Sequence, residues 1–200
     1  MLKEHRYQEI VSPTRVWSRS EILQKSNCPI PKENGVYGWY FKKLPSKIPT
    51  TDCILYDGLT LLYVGISPKP PPKEGKKSSR QNLHQRIRYH MKGNAEGSTL
   101  RLTLGCLLAD ELGIQLRRVG SGKRMTFADG EVELSKWLGE NAFVTWKVHS
   151  EPWRLEEELI SQISLPLNLS KNQNHSFYSI LSNIRKHAKL RAKVLPIVSG

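Results

Sequence analysis

Gly35-Val36-Tyr37-Gly38-Trp39-Tyr40-Phe41 is dense in aromatic and β-branched residues and reads as a β-strand. Leu61-Leu62-Tyr63-Val64-Gly65-Ile66 reads as a second strand. Ala142-Phe143-Val144-Thr145-Trp146-Lys147-Val148-His149 alternates and reads as a third. Side chains alternate along a strand, so Gly35, Tyr37 and Trp39 share one side, as do Tyr63 and Gly65. Each of the first two strands thus sets a Tyr two residues from a Gly on one face. The missing side chain leaves room beside the phenol for something large, such as a phosphate. Either triplet alone is better read as a Tyr-rich strand with Gly marking a bulge.

Downstream, Arg154-Leu155-Glu156-Glu157-Glu158-Leu159-Ile160-Ser161-Gln162-Ile163 has the pattern of a helix. At about 100° per residue, Trp153, Leu159, Ile160 and Ile163 form its apolar face. Glu157 and Glu158 point away from that face, and Glu156 falls in its middle. An unpartnered buried carboxylate costs several kcal/mol. Glu156 therefore calls for a metal ion, a cationic partner or a different helix phase. The plain alternative is a side chain reaching out to water.

Around these stretches the chain organises as follows. Ser18-Arg19-Ser20-Glu21 has capping-box spacing and predicts a short helix over 19–26. Residues 67–79 form a Pro/Lys loop whose Lys69, Lys73, Lys76 and Lys77 suit phosphate contacts or a solvated linker equally. Residues 80–92 read as a helix with an apolar stripe of Leu83, Ile87 and Met91. Arg86 and His90, at i and i+4, border that stripe as half-buried neighbours able to converge on one anion. Arg88 points elsewhere, as a surface contact. A mostly apolar helix is expected over 98–112 and another over 131–138. Between them lies a hairpin around Gly120-Ser121-Gly122 that carries Arg117, Arg118, Lys123 and Arg124. A final helix over 176–194 carries Arg185, Lys186, Lys189, Arg191 and Lys193, as a solvated face or a DNA rail.

The chain has 200 residues, 38% of them hydrophobic, and five Trp, enough for one buried core. Its net charge of +13 implies a polyanionic partner, either nucleic acid or an anionic membrane. No apolar run is long enough to span a bilayer, and the first residues are too polar for a secretory signal. Cys28, Cys53 and Cys106 are odd in number and widely spaced, which fits buried thiols in a reducing cytoplasm rather than a zinc site or a disulfide framework.

The order of the pieces carries a resemblance. Gly35-Val36-Tyr37, Tyr63-Val64-Gly65, Leu83-x-x-Arg86-x-x-x-His90, Glu156, and Pro166-Leu167-Asn168 together resemble the GIY-YIG nuclease superfamily over about 34–168. The connection between the two Tyr strands and the 67–79 loop are longer than that family's pattern. The resemblance implies an α/β (α+β) domain with a central three-stranded antiparallel sheet flanked by helices. It would occupy 34–170, between an N-terminal extension (1–33) and the basic C-terminal helix (171–200). It also implies hydrolysis of DNA phosphodiesters with one divalent metal, Mg²⁺ or Mn²⁺, held by Glu156. Tyr37 would then be the general base, Arg86 the stabiliser of charge on the phosphorane, and Tyr63 the group that orients water or phosphate. His90 or a loop lysine would favour the phenolate of Tyr37, and Gly35, Gly65 and Asn168 would brace the site. The expectation is thus a cytoplasmic endonuclease, monomer or homodimer, acting on duplex or branched DNA, with RNA also open and no membrane partner. The alternative is a nucleic-acid-binding module on the same scaffold with weak or lost cleavage.

Overall fold

The computed structural model describes residues 6–24, 27–72 and 79–199, so Lys73, Lys76 and Lys77 lie outside the described residues. Chain order runs α1 (Gln8–Val11), β1 (Trp17–Ser18), α2 (Arg19–Leu23), β2 (Gly35–Phe41), β3 (Leu55–Tyr56) and β4 (Leu59–Ser67). There follow α3 (Leu83–Lys92), α4 (Thr99–Leu107), α5 (Ala109–Leu112), β5 (Arg117–Val119), β6 (Arg124–Thr126), α6 (Gly130–Asn141), β7 (Ala142–Val148), α7 (Pro152–Gln162) and α8 (Tyr178–Val194).

The three expected strands form the middle of the main sheet, but the sheet has five strands, in the order β1-β7-β2-β4-β3. The two added edge strands are two residues long each, too short to leave a periodicity in the sequence. β2 is buried along its whole length and pairs antiparallel with both β4 and β7. That explains its unbroken apolar run: a central strand with both faces covered has no solvent side on which to place polar residues. The register sets Tyr37 opposite Gly65 on one side and Trp146 on the other. It shifts between Trp39 and Tyr40, where Leu62 is the extra residue of a bulge.

The two faces of the sheet build two cores. On one, Tyr37, Trp39 and Phe41 pack with Leu83, Ile87 and Met91 of α3 and with residues of α4 and α6. On the other, Val36, Tyr40, Leu61 and Val64 pack with Ile10 and with Leu155, Leu159 and Ile160 of α7. The stripe of α7 therefore includes Pro152 and Leu155, with Trp153 only half-buried. This rotation leaves Glu156 on the flank of the apolar face rather than at its centre. Glu158, expected in solvent, instead accepts hydrogen bonds from the Tyr7 hydroxyl and from Arg6. The expected 98–112 helix is broken into α4 and α5 at Leu108. The capping boxes at Ser18/Glu21 and Asn82/Gln85 start α2 and α3.

One buried charge ties the helical layer together. Arg101 on α4 is fully buried, and its Nη2 lies 2.6 Å from Glu131 Oε2 on α6. It also donates to the backbone carbonyl of His90 and to Ser135 Oγ, so the guanidinium is satisfied across three helices. Nothing in the apolar pattern of 98–112 signalled it. Removing one partner of such a pair strands the other charge. Arg101→Ala is therefore expected to cost about 3–5 kcal/mol in chemical denaturation. It should also loosen α3, which carries Arg86 and His90.

Candidate active site

The sequence-predicted residues fall into two neighbouring groups, close enough for Glu156 to act on both phenols. The first is a hydrogen-bonded cluster. Tyr37, only 1% exposed, lays its ring across the strand pair over Gly65. A Cβ on Gly65 would come within 2.5 Å of the Tyr37 hydroxyl oxygen, and one on Gly35 within 2.2 Å of the Lys147 carbonyl. The space beside each glycine is thus filled by the protein itself, not left for a phosphate. The Tyr37 hydroxyl is 2.8 Å from His90 Nε2, and Arg86 Nε donates to it at 3.4 Å. Arg86 Nη1 donates to the Gly97 carbonyl, and His90 Nδ1 is 2.6 Å from Ser98 Oγ. One turn of helix α3 brings both side chains to the same phenol, as their i, i+4 spacing requires.

The electrostatics of this cluster correct one expectation. His90 is completely buried, not half-buried. Burial, and then the nearby Arg86 and Arg101, hold its pKa well below the ordinary imidazole value, so it is neutral and is not a cation favouring phenolate. Burial also pushes the Tyr37 phenol far above its usual range. Tyr63 and Glu156 add to that rise, while Arg86 opposes it.

The second group, Tyr63, Glu156 and Asn168, lines an open groove of about 690 Å³ together with residues of α8. Tyr63 lies on β4, half-buried, with its hydroxyl 3.4 Å from Thr99 Oγ1 and its ring 6.5 Å from that of His90. The His90 ring is thus a neighbour of both Tyr37 and Tyr63. Asn168 pairs with the exposed edge of β4: its Oδ1 accepts from the Val64 amide at 2.9 Å and its Nδ2 donates to the Val64 carbonyl at 2.8 Å. A single side chain thus plays the part of a neighbouring strand and fixes the position of Tyr63.

The Glu156 side chain is 16% exposed. Burial pushes its carboxyl up to about 7, against the pull of Lys171. Lys171 Nζ is 3.7 Å from Glu156 Oε2 and 2.6 Å from Glu157 Oε1. Lys171 follows Asn168 in a turn, and no periodic signal marks it in the sequence. Among the described residues no three His, Cys, Asp or Glu side chains cluster as a closed metal cage. A single desolvated carboxylate on a groove wall still fits Mg²⁺ or Mn²⁺, because such ions keep waters and take substrate phosphate oxygens as their remaining ligands.

The expected phosphate-binding residues separate into two kinds. Arg88 donates to the Ile22 carbonyl, Arg117 to that of Pro196, and Arg118 to those of Ala192 and Leu195, so all three brace the backbone. Lys69, Lys123, Arg124, Lys186, Lys189 and Arg191 are exposed. Arg185 is half-buried at the groove, 3.4 Å from Thr103 Oγ1. Among the described residues no helix is long and apolar enough to cross a membrane.

Searches among curated proteins and among solved structures return no match. The family model described as the GIY-YIG catalytic domain matches residues 35–187, from the first residue of β2 into α8. That region holds both tyrosine strands, the Arg86/His90 helix, Glu156 and Asn168, and the chain belongs to the GIY-YIG catalytic domain family.

Proposed function

We propose that this chain is a divalent-metal-dependent DNA endonuclease that hydrolyses phosphodiester bonds. The observation that carries the reading is the desolvated Glu156 carboxylate that lines a basic groove together with Tyr63. Beside it lies the Tyr37 phenol, joined to both Arg86 and His90.

Glu156 would hold Mg²⁺ or Mn²⁺, which supplies charge stabilisation to the phosphate oxygens during displacement. The chain's own residues do the rest. The Tyr37 hydroxyl takes the proton of the attacking water as its own proton passes to His90 Nε2. The imidazole is neutral, with a lone pair free at Nε2; the burial and the Arg86 and Arg101 charges that keep it neutral also weaken it as a base, and the negative charge of a bound phosphate would offset them. With Nδ1 protonated against Ser98 Oγ, Nε2 is left as the acceptor facing the phenol. Arg86 supplies positive charge where the phosphorane becomes more negative. Tyr63 orients the phosphate, and Asn168 holds Tyr63 in place through the backbone of Val64.

A second reading, a nucleic-acid-binding module with lost cleavage, draws on the Lys171 ammonium already beside Glu156. Incubation with plasmid and with structured oligonucleotides, with and without Mg²⁺ or Mn²⁺, separates the two. The enzyme reading expects metal-dependent cleavage of at least one substrate. Binding with no cleavage under any of these conditions leaves only the module.

A further inference from the structure

Helix α8 supplies much of the lining of the groove that Glu156 also lines. From Tyr178 to Val194 it contains no acidic residue. Arg185, Lys189 and Lys193 recur every four residues and line the groove together, with Lys186 beside them. Successive cations on such a stripe stand about 6 Å apart along the helix axis. That is close to the step between successive phosphates along one extended strand.

This helix is anchored, not a loose basic tail. Leu181 and Ala192 are fully buried. Arg118 holds the carbonyls of Ala192 and Leu195 at the end of the helix. Beyond it, Val198 bridges to Val119 of β5, with its amide donating to the Arg118 carbonyl. Thr99, Thr103 and Leu167 also line the groove.

Taken on the endonuclease reading above, we propose that this groove is a single-strand channel. It takes one strand of DNA with its phosphates along Arg185, Lys189 and Lys193, and it admits unpaired or frayed DNA in preference to an intact duplex. Three features carry the inference. The cations form one row on one wall, which matches one backbone; a duplex presents two backbones separated by a groove of about 6 or 12 Å. The Glu156 carboxylate lines the same groove as these cations, so a phosphate cut there would belong to the strand they hold. At about 690 Å³ the groove has the size of a small-ligand pocket, room for about two nucleotides. A basic track beside an aromatic side chain, here Tyr63, is also the composition that holds single strands without reading their sequence.

The test is fluorescence anisotropy in EDTA with one labelled sequence, presented as a single strand and as a blunt duplex. The single strand is expected to bind at least about tenfold more tightly. The double variant Lys189→Glu with Lys193→Glu should remove that preference. It should also lower the slope of log affinity against log salt for the single strand by about 1.4 units. Lys42→Glu with Lys136→Glu makes the same charge change on exposed residues outside the groove and should leave the preference intact. Tighter binding of the duplex, or an equal loss from both double variants, overturns the channel. The channel and the nuclease reading fail separately. The expected binding pattern without cleavage in Mg²⁺ keeps the channel and removes the nuclease. Cleavage of blunt duplex that is indifferent to Lys189 and Lys193 does the reverse.

Discussion

Glu156→Gln is expected to reduce cleavage at least about a hundredfold while leaving the protein folded and, at neutral pH and above, more stable than wild type. The substitution keeps the shape of the side chain and removes its charge. The stability effect follows from the carboxyl's rise from its ordinary value of 4.5 to about 7, caused first by burial. A group whose folded pKa is raised binds its proton more tightly in the folded than in the unfolded state. Its contribution is favourable below about pH 4.5, declines as the pH climbs towards 7, and is lost above that. The Gln variant has no such decline. In metal-free buffer the two proteins should therefore show a similar pH trend below the window, and the variant should gain on the order of 2 kcal/mol across it. Melting temperatures at about pH 5 and about pH 8 measure this. Glu157→Gln should keep cleavage near normal, because that carboxylate is exposed and meets only Lys171. Glu158→Gln should keep cleavage too, but lose some stability through its bonds to Tyr7 and Arg6. If Glu156→Gln loses stability at every pH, the carboxylate is an anchor for Lys171 and not a site awaiting a cation.

Tyr37→Phe is the second large effect. A positioned general base contributes about 10²–10⁴ in rate, and the loss should fall in that range, on kcat rather than on binding. The substitution also leaves His90 Nε2 buried without a partner, at a cost of about 1–3 kcal/mol. Tyr63→Phe makes a useful contrast. Its hydroxyl has only a 3.4 Å contact with Thr99, so stability should barely change. If Tyr63→Phe abolishes cleavage and Tyr37→Phe, corrected for any unfolding, does not, the two phenols exchange roles. The base would then be the one that lines the groove.

What was legible in the sequence was what has a period or a signature. The three long strands, the capped helix with Arg86 four residues before His90, and the tyrosine two residues from a glycine on one strand face are all local patterns. The structure brings them together because β2 pairs with β4 and β7. What escaped notice depends on contacts between distant segments. β1 and β3 are too short to alternate, and they exist because neighbouring strands offer unpaired edges. Arg101 falls in a mostly apolar helix whose pattern does not mark it, and only the approach of Glu131 makes it a strut. The flank position of Glu156 turned on Leu155, which a wheel drawn through Trp153 had left off the stripe. Arg88, Arg117 and Arg118 counted towards the positive charge available to nucleic acid, yet they hold backbone carbonyls. Charge alone does not distinguish a phosphate contact from a brace. Lys171 shows the same limit, because its partner Glu156 comes from another element.

The central claim is that Glu156 makes this fold a metal-dependent nuclease. It is tested most directly by single-turnover cleavage of a forked oligonucleotide as Mg²⁺ is raised from zero, with wild type and Glu156→Gln side by side. Wild type is expected to show no cleavage in EDTA and a rate that climbs and saturates with Mg²⁺, while the rate of the variant stays near zero throughout. Cleavage by wild type that is indifferent to Mg²⁺, or a variant that follows the wild-type curve, would contradict it.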